Sequence, residues 1–145
     1  MPLIVSVPNQ KTAGIKAEAM VEFVDLYPTL AELCGLTPPV DLEGASFVRL
    51  LSDAKQPWKT AVFTTYVKKV PAMGGQTFGR SMCTDHYRFT EWHCDKSGKT
   101  EYELYDHQTD PQENASLALK PENNDLVAKL TAQLHAGWKG ALPPK

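Results

Sequence analysis

Apolar and polar positions change period several times along the chain. Residues 2–8, "PLIVSVP", form an unbroken apolar, β-branched run between prolines. That pattern predicts a strand buried on both faces, as in a parallel sheet. No second run of this kind follows, so residue 1 is expected not to be a natural start and Met1 to be an added residue. "NQKTAGIKAEA" predicts a loop, and "MVEFVD" a short extended piece. "DLYPTLAELCGL" predicts a helix, with Asp25 as N-cap, Pro28 in the first turn and Gly35 just past the end. Its apolar set Leu26, Leu30, Leu33 and Cys34 shares one face. After the loop "TPPVDLEG", "ASFVRLLSDA" predicts a second short helix, with Ser46 as N-cap and Phe47, Leu50 and Leu51 turned inward.

Beyond Pro57 the period falls to two. "KTAVFTTYV" reads as a strand and "KKVPAMGGQT" as a flexible loop. "FGRSMCT" and "HYRFTEWHC" predict a hairpin about Asp85, and "TEYELYDH" a further strand after the turn "DKSGK". "ENNDLVAKLTAQLHAGW" carries Leu126, Leu130, Leu134 and Trp138 four apart, an amphipathic helix to lie across one sheet face. The tail "KGALPPK" is expected to fray. The fold class is therefore α+β: a four-stranded antiparallel sheet with a C-terminal helix, preceded by a strand and helices. Residues 1–55 and 56–145 are expected to form separate pieces.

Composition narrows the function classes. The 145 residues are 42% hydrophobic and carry a formal charge of −2, so neither nucleic acid nor an anionic membrane is an expected partner. No apolar run reaches the ~20 residues of a membrane span, and the first ten residues lack the basic start of a signal peptide. Three cysteines, Cys34, Cys83 and Cys94, imply no disulfide framework.

Two stretches could carry chemistry. "ELYDHQTDPQEN", Glu103 to Asn114, holds a carboxylate at almost every third position. Asp106 at a strand exit and Asp110 before Pro111 suit a polar turn, with Asn114 and Ser116 as caps. A calcium loop would need a central glycine, which is missing. Cys83, His86, His93 and Cys94 flank the hairpin and have the donor types of a zinc site. Neighbouring strand residues point to opposite faces, which works against His93 and Cys94 sharing one ion. Asn114-Ala-Ser116 fits a glycosylation acceptor. Trp58, Trp92 and Trp138, with Tyr27, Tyr87 and Tyr105, read as packing residues.

Five motifs occur in an order that resembles the C-terminal part of the sulfatase family. They are "PLIVSVP", "VDLYPTLAELCGLTPP", "LEGASFVRLL", "GRSMCTDHYRFTEW" and "ELYDHQTDPQEN". "SMCTDHYRFTEW" is most similar to the iduronate-2-sulfatase branch. The resemblance covers residues 2 to about 118. It implies that residues 1–55 are the last piece of a large α/β, alkaline-phosphatase-like domain and that the rest is its smaller C-terminal subdomain. It further implies a sulfuric ester hydrolase whose formylglycine nucleophile, Ca2+ and catalytic Lys and His residues lie in the N-terminal domain. None of the three cysteines sits in the Cys/Ser-x-Pro/Ala-x-Arg motif, so this chain is expected to hold no catalytic residue, no cofactor and no metal, and to be inactive alone.

The family's C-terminal subdomain lines the mouth of the substrate pocket. The resemblance therefore implies substrate contacts for Lys68, Lys69 and Arg80, with a sulfated saccharide such as iduronate 2-sulfate as substrate. The plainer reading is two solvated lysines and an arginine that packs its stem and pairs with an acid. The chain's own N-terminal sulfatase domain is the expected partner, with self-association or domain exchange through an exposed core strand in its absence. A periplasmic, secreted or lysosomal location follows from the family. A non-catalytic carbohydrate- or protein-binding module, or a zinc hairpin, are the alternatives.

Overall fold

The computed structural model describes residues 2–10 and 12–143. Met1, and with it the expectation about the chain start, lies outside them, as do Pro144 and Lys145. The described residues fall into two compact units, one within the spans 1–59 and 142–145 and one over residues 60–141.

The first unit holds helices α1, Leu26–Leu33, and α2, Val48–Ser52, with a 3-10 turn Phe23–Asp25 where the sequence predicted an extended piece. Phe47, Leu50 and Trp58 form its core, joined by Val5, Val21 and Leu26. The Trp58 indole N–H donates to the Met20 carbonyl at 2.8 Å. Gly35, at φ +68°, closes α1. The Leu36 amide donates to the Ala31 carbonyl and the Gly35 amide to the Glu32 carbonyl, a Schellman end.

Three expectations fail here. Residues 2–8 form no strand, because no described strand runs beside them to complete a ladder; Ile4 is 93% exposed. Asp25 stands at the N-cap position of α1 yet makes no side-chain cap bond. Its carboxylate instead accepts from the Glu22 and Ala45 amides and from Lys59. The apolar stripe of α1 turns inward only at Leu26: Leu30 is 59% exposed, and Pro28, Thr29 and Ala31 are buried. Thr29 explains this orientation. Its hydroxyl donates to the Asp25 carbonyl at 2.6 Å and accepts the Phe47 amide at 3.0 Å, which turns the polar side of α1 toward the core.

The second unit is a four-stranded antiparallel sheet in the order β1-β2-β3-β4. The strands are β1 Val62–Val70, β2 Gly75–Cys83, β3 Tyr87–Cys94 and β4 Lys99–Asp106. Helix α3, Asn124–Ala136, covers one face. Met82, Phe89 and Leu104 from that face pack with Leu130 and Leu134 of α3. Lys68 and Lys69 belong to β1, opposite Thr77 and Gln76, and not to a loop. The turn is only a 3-10 step, Pro71–Met73, and Gly74 at φ +106°. It stays tight because Met73 is buried and its carbonyl accepts the Ser97 hydroxyl.

Helix α3 ends at Gly137, so Trp138 lies in a following 3-10 turn, Trp138–Ala141. That turn is anchored where fraying was expected. Ala141 is buried, and its carbonyl accepts the Thr60 amide at 3.2 Å.

Candidate functional site

Strand alternation and register decide which side chains share a face. Met82 pairs with Phe63 and Phe89, and Phe89 with Leu104, on the side of α3. Two positions along, the same face presents Thr65, Arg80, Glu91 and Tyr102; two further along come Val67, Phe78, His93 and Thr100. A shallow depression of about 350 Å³ lies there, lined by Thr65, Phe78, Arg80, His93 and Asp95.

The floor of this region is an ion-pair network. Glu91 is only 4% exposed. One of its oxygens accepts from Arg80 Nη2 at 2.5 Å, and the other from His135 Nε2 of α3 at 2.9 Å. The Arg80 side chain is itself half exposed. Its guanidinium is thus tethered to Glu91 through one nitrogen. His93 shares a hydrogen bond with Thr100 through Nδ1 at 2.8 Å, and its Nε2 lies 3.5 Å from Asp95 Oδ1.

The three residues expected at the substrate are spread over both faces of the sheet. Arg80 and Lys69 share the helix-bearing face, four strand positions apart, or about 13 Å at 3.3 Å per residue. Lys68 points to the other face, where its ammonium sits 3.5 Å from the centroid of the Trp92 ring. That indole lies flat over Gly79, whose missing side chain makes room for it: a Cβ there would come within 2.4 Å of Trp92 Cζ3.

The zinc donors are also dispersed. Cys83 pairs with Arg88, and Cys94 lies six positions further along β3, about 20 Å away. His93 and Cys94 fall on opposite faces. Among the described residues no group of three or more His, Cys, Asp or Glu is arranged to hold a metal ion. Burial pushes the Cys83 thiol up from its ordinary value.

The carboxylates of 103–114 build a turn. Asp106 accepts the Gln108 amide at 2.8 Å, and Asp110 accepts the Ala115 amide at 3.0 Å and the Asn114 side-chain amide at 2.8 Å. Glu113 adopts φ +58°, and its carboxylate lies 2.9 Å from Arg88 Nε and 2.8 Å from His107 Nε2. The Ala115 and Asn114 amides hold the Asp110 carboxyl below the ordinary carboxylate range.

Glu91, His135, Phe78 and Asp95 were not picked out in the sequence. Period two would have grouped Glu91 with His93, and Phe78 with Arg80, on one face each. The register that joins the two strands, and the meeting of His135 with Glu91 across 44 residues, needed the folded sheet.

Residues 1–139 match the family described as N-sulphoglucosamine sulphohydrolase, C-terminal. The chain belongs to this family. An N-acetylglucosamine-6-O-sulfatase of Bacteroides thetaiotaomicron is 30% identical over 125 residues, which cover 84% of this chain and 22% of that protein. A sulfatase of Formosa agariphila is 32% identical over 112 residues, 77% of this chain and 19% of that one. The chain thus spans about a fifth of these curated relatives.

Among solved structures, a putative sulfatase from Bacteroides thetaiotaomicron is similar with a TM-score of 0.62 and 28% identity, covering 77% of this chain and 23% of that chain. A second, solved with its substrate D-glucosamine-2-N,6-O-disulfate, shares the fold at a TM-score of 0.65 and 24% identity, covering 80% of this chain and 23% of that chain. The antiparallel sheet with its C-terminal helix is the family's architecture.

Proposed function

We propose that this chain is the C-terminal portion of a sulfuric ester hydrolase that acts on a sulfated saccharide, and that it serves as a wall for substrate and not as the reactive centre. The observation that carries the reading is the family match over residues 1–139, on a chain about a fifth as long as its relatives. The first unit supports it. Phe23, Val24, Tyr27, Leu30, Leu33 and Leu36 are all exposed, more apolar surface around one helix than a self-sufficient unit leaves uncovered. Its occupant would be the large α/β domain that precedes this region in a sulfatase.

Formylglycine and Ca2+ do not fit the residues present. Cys34 caps the end of α1, Cys83 and Cys94 lie in sheet strands, and the described carboxylates and histidines do not converge on a metal position. What this chain supplies is charge and shape: Arg80, and Lys69 further along the same face, favour an anionic ligand. The relatives' names point to sulfated glucosamine, whereas "SMCTDHYRFTEW" resembles the iduronate-2-sulfatase branch.

Sulfate release tests this reading. The polypeptide of full sulfatase length is expected to hydrolyse at least one of glucosamine 6-sulfate, glucosamine N-sulfate, iduronate 2-sulfate and an aryl sulfate, and the 145 residues alone none. Turnover by the 145 residues, or none of the four by the longer protein, would overturn it. The preferred sugar then decides between the two branches.

A further inference from the structure

We propose that the depression on the helix-bearing sheet face is a subsite for a single anionic pyranose, its sulfate or carboxylate on Arg80 and its ring against Phe78. The ligand class rests on the sulfatase reading; the site rests on its own geometry.

Arg80 is prepared for an anion. Its counter-ion Glu91 is almost fully buried, and both oxygens of Glu91 are already taken, by Arg80 and by His135. The guanidinium is therefore held in place before a ligand arrives, which lowers the ordering cost of binding. A planar fork matches the oxygens of a sulfate or carboxylate. One nitrogen is on Glu91, and the side chain as a whole stays half exposed.

Phe78 supplies the apolar contact. It lies on the same face two positions from Arg80, about 6–7 Å along the strand, and 39% of it is exposed. A sugar ring carries an apolar C–H face that an aromatic ring accepts, and its substituents then reach the neighbouring side chains. His93, directly opposite Phe78 on β3, has Nδ1 committed to Thr100 and turns Nε2 toward Asp95 at the rim. Thr65, opposite Arg80 on β1, adds a hydroxyl. These groups suit sugar hydroxyls. The volume of about 350 Å³ is near the lower limit for small-ligand pockets, enough for one sugar. His135 and Glu91 touch no ligand in this arrangement; they are positioning residues for Arg80.

The 145-residue chain, labelled for NMR, tests the site by titration with N-acetylglucosamine 6-sulfate, unsulfated N-acetylglucosamine and inorganic sulfate. Saturable shifts are expected at Arg80, Phe78 and His93 with the sulfated sugar. Arg80→Gln should weaken that binding at least about tenfold, the scale of one hydrogen bond to a charged group. Phe78→Ala should weaken the sugar sulfate but leave inorganic sulfate within about twofold, since the ring makes no anion contact. Lys68→Gln, on the opposite face, should change neither.

Absence of saturable shifts, unchanged affinity in Arg80→Gln, or equal affinity for sulfated and unsulfated sugar would each overturn the site. If Arg80→Gln fails to fold, Phe78→Ala and the comparison of the three ligands carry the decision. Turnover by the longer protein without binding here sinks this subsite and spares the sulfatase reading. Binding here without turnover there does the reverse.

Discussion

Lys59 Nζ lies 2.7 Å from Asp25 Oδ1, and the Asp25 side chain is wholly buried. The same ammonium is 2.6 Å from Glu22. Through the Ala45 and Glu22 amides on its carboxylate, Asp25 also ties the 3-10 turn before α1 to the loop that leads into α2. Removing one partner of such a network leaves a buried charge uncompensated. Lys59→Met is expected to destabilise the first unit by about 3–5 kcal/mol. The double change Lys59→Met with Asp25→Leu should recover part of that loss. Denaturant unfolding of the chain checks both, and a Lys59→Met protein as stable as the parent would contradict the assignment.

Two glycines rank by what surrounds them. A Cβ on Gly44 would fall 1.9 Å from the Val24 carbonyl oxygen, a backbone atom that cannot step aside. On Gly79 it would meet the Trp92 ring, a side chain that can tilt. Gly79→Ala is expected to cost about 1–3 kcal/mol and to shift the Trp92 fluorescence. Gly44→Ala should cost more. Thermal melts that reversed the order would refute this ranking.

The Asp110 carboxyl is held below the ordinary range by the Ala115 and Asn114 amides. A group with a depressed folded value stabilises fully above its unfolded value, and the contribution fades as pH falls through the folded one. Asp110→Ala is therefore expected to lower Tm at neutral pH. The gap between parent and variant should narrow below about pH 4, the ordinary carboxylate range. A gap independent of pH would show that the charge plays no part.

Exposed Leu30 and Leu33 give the chain an adhesive helix face when it stands alone. Sedimentation of the 145 residues is expected to show concentration-dependent association, and Leu30→Ser with Leu33→Ser to reduce it. A strictly monomeric parent at all concentrations would argue that this face needs no cover.

Local pattern determined much of this protein. The period-two runs of residues 62–106 and the four-residue spacing of Leu126, Leu130 and Leu134 are enough for a sheet with a helix across it, because strand and helix each bury a face set by their own repeat. Turn chemistry around Asp106 and Asp110 was legible for the same reason: each carboxylate bonds amides within a few residues of itself. What the tertiary structure decided was every relation that crosses strands or elements. Lys68 and Lys69 are neighbours in sequence, yet the continuation of β1 sends them to opposite faces. Asp25 reads as a helix cap, but a lysine 34 residues away and the Ala45 amide 20 residues away share its carboxylate, partners that no local pattern shows. The candidate site depends on the pairing of Arg80 with Glu91 and on the arrival of His135, and contacts of that range follow from register and packing, which no single stretch of sequence encodes.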